Sequence, residues 1–314
     1  MISFWTKIKK PIVGLSPMDG VTDFPMREIQ CEIAKPDVIF TEFISAEGFV
    51  RNPGYFQKHL YFTERQRPIV AQVFGYTPPY FYETVSQLMS LGFDGIDINM
   101  GCPSRKVLGK GGGGALIGNF KLTEEIMCSC LKAIENMGNN IPLSVKTRIG
   151  KKEFETESWI NFLTKFPISA VTVHGRLLKQ RCNGPVFWQE VQKASKILKS
   201  KNIICLGNGG VKDINEAEEL ALKFELDGIL IGQSSLGNPW VFLNNYFPQK
   251  EEIIETIIEH ARKVEEFYPK ERFVTVLKHF SWYPRGFEGC KSLKRELLKT
   301  RSLDQVLAVV EKYR

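Results

Sequence analysis

Cys102 sits between a glycine and a proline in the stretch NMGCPSRKV (99–107), and four consecutive glycines, 111–114, follow it. A thiol in such a turn can act as a nucleophile, and a glycine run can cradle a phosphate or simply form a turn. Other candidates recur downstream. VKTR carries Lys146 and Arg148, and TVHGR carries His174 and Arg176. GNGG (207–210) presents Asn208, Gly209 and Gly210, and IGQSS (231–235) presents Gly232 and Gln233. Fixed cations and amides stabilise developing charge, and glycine turns entering helices expose backbone N–H groups to an anion.

These residues need a scaffold that brings them together. Short β-branched runs fall at 12–17, 37–43, 68–74, 94–99, 141–147, 169–174, 202–207 and 226–231. Amphipathic stretches such as FYETVSQLMSLG and WQEVQKASKILK, with apolar positions three and four apart, lie between most of them. Eight alternations of strand and helix predict an α/β fold, a (β/α)8 TIM barrel. An open doubly wound sheet is the alternative, but no GxGxxG turn follows the first strand. In a barrel, functional side chains sit at the carboxyl ends of the strands. Those ends hold Pro17, Met18 and Asp19, then Glu42, Gln72, Asn99 with Cys102, and the candidates already named. The turns at 207–211 and 231–240 follow strands seven and eight, the usual phosphate site of such barrels, and point to a phosphate-bearing cofactor.

Beyond residue 243 the alternation stops. Ile253, Ile254, Ile257, Ile258, Ala261 and Val264 recur at helical spacing, so a barrel at 1–243 and an all-α domain at 244–314 are expected. Segment 285–301 carries six basic and two acidic residues, which fits either a large anionic substrate or a solvated face covering the barrel.

The 314 residues carry a formal charge of +7, with 43% hydrophobic and 25% charged residues. That lean favours anionic partners such as nucleic acid, although charge alone fits an ordinary solvated surface equally well. The seven cysteines form no C-x-x-C pair, which removes the usual zinc-ribbon and iron–sulfur signatures. No metal site is expected, and a reduced, cytoplasmic setting fits. No apolar run is long enough to span a membrane, and MISFWTKIKKP lacks the apolar core of a signal segment.

The motifs, taken in order, resemble the tRNA-dihydrouridine synthases, and among them the bacterial B-type branch. SPMDGVTD (16–23), AQVFG around Gln72, INMGCPSRKV (98–107), VKTRIG (145–150), TVHGR, GNGGV, IGQSSLGNPW (231–240) and KHFSWY (278–283) carry the resemblance. It implies FMN as cofactor, NADPH or NADH as transient electron donor, and tRNA as substrate. Reducing the uracil 5,6-double bond takes a hydride at carbon 6 and a proton at carbon 5. A cysteine of ordinary pKa, ~8.5, is mostly thiol at neutral pH, so Cys102 becomes the proton donor rather than a nucleophile. Lys146 is assigned to the flavin's pyrimidine side and Gln72 to its edge, with Pro17, Met18 and Asp19 beneath the ring and His174 beside it. Asn208, Gly209, Gly210, Gly232 and Gln233 hold the phosphate. Asn99, Arg148 and Arg176 line the mouth for uracil or RNA, and Lys106 and Lys110 meet RNA phosphates once a mobile glycine-rich loop closes.

One departure stands out. Gln233-Ser234-Ser235 occupies the place where the family usually has an arginine, which removes a charge from the phosphate loop. Two alternatives stay open: a flavin barrel acting on a small molecule, similar to dihydroorotate dehydrogenases, which shares the phosphate loops, and a non-catalytic tRNA-binding relative, to which the Gln233 departure gives weight. A monomer is expected.

Overall fold

The structure, a computed structural model, describes residues 3–138 and 140–314. Nine strands, β1 (Ile12–Leu15), β2 (Ile39–Phe40), β3 (Ile44–Ser45), β4 (Ile69–Phe74), β5 (Gly95–Asn99), β6 (Leu143–Arg148), β7 (Ala170–His174), β8 (Ile204–Asn208) and β9 (Gly228–Ile231), form one parallel sheet among the described residues. β1 pairs with both β9 and β2, and β2 pairs with β4, so the sheet closes into a barrel.

The expected strand at 37–43 is two short strands. Ile39 and Phe40 lie opposite Ile69 and Val70, whereas Ile44 and Ser45 lie opposite Val73 and Phe74. Four steps on one side thus face three on the other, a one-residue bulge at 41–43. The bulge turns Glu42 across the mouth, where its Oε1 accepts from the Gly20 N–H at 2.6 Å. Counting β2 and β3 as one interrupted strand gives the eight-stranded TIM barrel that the alternation predicts.

Alternation within each strand sorts the side chains. In LSVKTR, Ser144, Lys146 and Arg148 face the barrel axis, while Thr147 faces outward and accepts from Trp159 Nε1 at 2.9 Å. The lower interior is apolar: Phe40, Val70, Ile204, Leu206 and Leu230 pack with Trp5, whose turn at Phe4–Thr6 plugs the bottom. Trp5 is buried. The interior is therefore a packed core, and only the upper end is free to hold a ligand.

A second hydrophobic cluster gathers Ile253, Ile257 and Val264 of helix Lys250–Phe267 with Phe273, Phe280 and Leu293. Gln249 and Glu252 cap this helix, the Gln249 N–H donating to Glu252 Oε2 at 2.8 Å. The helix packs on Phe24–Ile33, an outer helix of the barrel capped by Asp23, whose Oδ1 accepts from the Met26 N–H at 3.1 Å. Trp282 and Tyr283 fall just beyond the short helix Leu277–Phe280 rather than on it, and Tyr283 is buried.

Candidate active site

A cavity of about 300 Å³ opens at the carboxyl ends of the strands, within the range of small-ligand sites. It brings together candidates from five separate motifs: Cys102, Lys146 with Arg148, His174, Gly209 and Gly232. Pro17, Met18, Asn99, Arg176, Asn208, Gly210 and Gln233 complete the set of candidates on its wall.

A chain of hydrogen bonds runs beneath its floor. Ser144 Oγ donates to Asp97 Oδ1 at 2.6 Å, and Gln72 Nε2 donates to Asp97 Oδ2 at 2.7 Å. Asn99 Nδ2 donates to Gln72 Oε1 at 2.9 Å. The Asn99 Oδ1 then accepts from the backbone N–H groups of Gly101, at 3.1 Å, and Cys102, at 2.9 Å. The short side chain of asparagine thus folds the Gly101-Cys102-Pro103 turn by bonding two residues ahead. From the other side Arg148 holds the same turn, Nε to Gly101 O at 2.7 Å, and ties it to Arg181 O through Nη1 at 2.7 Å. Gln72 lies off the cavity wall, whereas Asn99, through Oδ1, and Arg148, through Nε, hold the turn from the wall itself. In this structure they position Cys102.

Burial, then the nearby Asp19 carboxylate, raise the Cys102 thiol above its ordinary pKa, against a backbone hydrogen bond from Ser104. The side chain therefore carries its proton at neutral pH. Lys146 donates to Asn208 Oδ1 at 3.0 Å, and Asn208 Nδ2 donates to Leu230 O at 2.8 Å, which fixes both amide ends. Burial, followed by the Arg148 charge, lowers the Lys146 ammonium to about 8. Asp97 is fully buried and pushed up to about 6 by burial, relieved by its Ser144 and Gln72 bonds.

His174 Nε2 lies 3.2 Å from Arg176 Nη1. Arginine only donates, so Nε2 is the acceptor and the ring proton sits on Nδ1. Burial and the charges of Arg148, Lys146 and Arg176 hold the imidazole neutral, well below its ordinary pKa. Arg176 in turn lies against the glycine turn: a Cβ on Gly209 or Gly210 would meet its guanidinium at 3.4 or 3.3 Å. The same Cβ on Gly209, where φ is +121°, would also press His174 at 2.8 Å, so only glycine fits there.

Three candidates stand apart. Asp19 is exposed and off the wall. Lys106 and Lys110 are exposed, and they flank a neighbouring groove with Glu47 and Tyr76. The glycine run is not a free hinge. Glycines 112–114 are buried, the Gly114 N–H donates to Cys102 O at 3.1 Å, and a Cβ on Gly114 would meet Leu178 Cδ1 at 2.3 Å. The expectation of a mobile loop yields to close packing against the cysteine turn.

Residues 14–313 match the family described as Dihydrouridine synthase (Dus). The chain belongs to this family. A relative named "Probable tRNA-dihydrouridine synthase" from Staphylococcus aureus strain COL is 32% identical, covering 99% of this chain and 95% of its own. "Probable tRNA-dihydrouridine synthase 2" of Bacillus subtilis strain 168 is 30% identical, covering 99% and 96%. A solved structure titled as a variant of NCR from Zymomonas mobilis is 14% identical, over 72% of this chain and 83% of that one, with a TM-score of 0.47.

Within this member of the dihydrouridine synthase family, several wall residues lay outside the sequence reading. Phe43 reaches the cavity because the bulge turns it there, and Cys182 because the loop after β7 folds back, Arg176 Nε donating to Gly184 O at 2.9 Å. Asp97 was accessible to reading: DGIDIN alternates, so Asp97 and Asn99 share one face.

Proposed function

We propose that this protein reduces uridines of tRNA to dihydrouridine at the cavity above β6 and β8, with FMN as cofactor and NADPH or NADH as transient donor. The observation that carries this reading is the convergence on one cavity of a protonated thiol, a buried cation and a glycine cradle. The fit to FMN rests on that donor set. Gly209, Gly210 and Gly232 bring bare backbone to the cavity wall where a phosphate can meet it, with Arg176 alongside, and Lys146 offers a cation to the electron-rich end of the ring. A flavin bound here supplies the hydride, chemistry no side chain provides.

The chain's own residues do the rest. Lys146 stabilises the negative charge of the reduced ring, held in place by Asn208. Cys102 holds a proton on Sγ for carbon 5 of the uracil. Asn99 and Arg148 set its position, and Gln72 acts from beneath through Asn99. His174, neutral and with Nδ1–H free of Arg176, offers a hydrogen bond at the ring edge. Pro17 and Met18 line the cavity beneath the ring, with Asp19 at its rim. Gly232 and Gln233 close the phosphate end. Residues 244–314 grip the tRNA, with Lys106 and Lys110 on phosphates beside the mouth, which offsets the few kcal/mol that unstacking the base costs. The protein acts as a monomer in the cytoplasm.

Arg176 supplies the charge that Gln233 does not. Arg176→Ala should weaken FMN binding by about 10-fold or more, the worth of one charged hydrogen bond, read by flavin fluorescence on titration. Unchanged affinity would return Arg176 to the substrate side.

The reaction itself is tested by mass spectrometry of tRNA from cells with and without the gene. A uridine that loses its two-hydrogen increment without the gene supports the reading. Unchanged tRNA with a yellow, flavin-loaded protein would indicate a small-molecule substrate, and a protein that stays colourless with added FMN would indicate a binding-only relative.

A further inference from the structure

Away from the cavity, one cluster has no part in the chemistry above. Asp23, His260 and His279 are all buried, and one nitrogen from each imidazole and a carboxylate oxygen of Asp23 lie within 4.8 Å of one another. Asp23 caps the barrel's outer helix, His260 lies on helix Lys250–Phe267 and His279 on helix Leu277–Phe280. The two rings pack with centroids 4.5 Å apart. Among the described residues, the Nε2 atoms of both histidines are buried without a hydrogen-bond partner. An orphaned buried polar atom costs free energy, and two on rings packed together in a cluster that also holds a carboxylate call for a common partner.

We propose that Asp23, His260 and His279 bind one divalent first-row transition ion of the zinc type, which staples the helical domain to the barrel. Two imidazoles and one carboxylate are the donor set such ions take, with a water in the fourth position. The outer partners are in place. His260 Nδ1 bonds the Tyr283 hydroxyl at 2.9 Å, which directs Nε2 to the ion, and the edge of Trp282 meets the His279 ring. The ion's charge adds to those of Arg27 and Lys278 around Asp23, and is offset by Asp23 itself and Glu42. C-x-x-C spacing gives no warning of such a site, because its ligands come from opposite ends of the chain. The binding readout is separate from tRNA reduction, so either reading can fail alone.

The test is stoichiometry. Flavin-loaded protein is incubated with excess Zn2+, desalted and analysed by elemental analysis. About one zinc per chain is expected. His260→Gln and His279→Gln should each lower this at least about tenfold, whereas His59→Gln, outside the cluster, should keep it. Should the two variants fail to fold, Co2+ bound to the wild-type chain decides. A visible ligand-field band stronger than that of the aqua ion supports the site. Wild-type protein that retains no zinc and gives only the aqua-ion spectrum, or folded His260→Gln and His279→Gln that retain full zinc, overturns the proposal and leaves a buried water between the rings.

Discussion

Cys102→Ala should keep its flavin and lose tRNA-dependent turnover by about 10²–10⁴-fold, the usual contribution of a positioned general acid. The thiol sits at a turn fixed at both ends, by Asn99 Oδ1 at its N–H and by the Gly114 N–H at its carbonyl. Neither bond uses the side chain, so alanine preserves the turn and removes only the proton. The loss should fall on one half of the cycle. Reduction of the bound flavin by NADPH should proceed at the wild-type rate, while its reoxidation by tRNA in a stopped-flow experiment should be slow. The direction with pH follows from the raised thiol pKa. Wild-type reoxidation holds at neutral pH and declines first as Lys146 discharges near 8, then again as the pH climbs through the elevated thiol value, where the acid form disappears. Wild-type reoxidation by Cys102→Ala would sink the proton-donor assignment.

The barrel was legible because its signal is local. Val and Ile alternate with turns in short runs, and each run needs only its own residues to identify it. What escaped were effects of partners distant in sequence. The run DVIFTEF reads as one strand; the bulge that splits it exists because β4 offers three residues where β2 and β3 offer four. Glycines 111–114 read as backbone freedom, yet 112–114 are packed tightly against Leu178, Cys102 and Gly75. The site followed the same rule. Strand-end position found the residues on the cavity wall, but not their division of labour. Arg148 and Asn99, read as substrate contacts, also hold the cysteine turn. Arg176 lies against the Gly209-Gly210 turn, with the chain after β7 doubling back so that its Nε reaches Gly184 O. Asp23, His260 and His279 meet only because two helical units dock.

Lys146→Met should separate function from stability. Among the described residues the ammonium makes one hydrogen bond, to Asn208 Oδ1, in a position that costs it its solvation. Burial brings it down to about 8, with the Arg148 charge adding to the effect and Asp97, Cys182 and Cys102 opposing it. Keeping it protonated at pH 7 costs the folded protein on the order of 1–3 kcal/mol, after allowance for its partial exposure to the open cavity. Flavin-free Lys146→Met should therefore be more stable than flavin-free wild type at pH 7 in chemical denaturation. The sign then follows from proton counting. Between about 8 and the ordinary lysine range the unfolded chain holds a proton that the folded chain has released, so wild-type stability rises with pH across that window. The advantage of the methionine variant should be full at pH 7 and shrink towards pH 10. Activity moves the other way. Without the cation the reduced ring loses its electrostatic partner, and turnover should fall about 10²-fold or more, with the flavin midpoint potential shifted negative. A variant that is stabilised but keeps wild-type turnover would show that the cation serves neither ring nor reaction. One that loses activity and stability together would show that the Asn208 bond, not the charge, is what the barrel needs from this lysine.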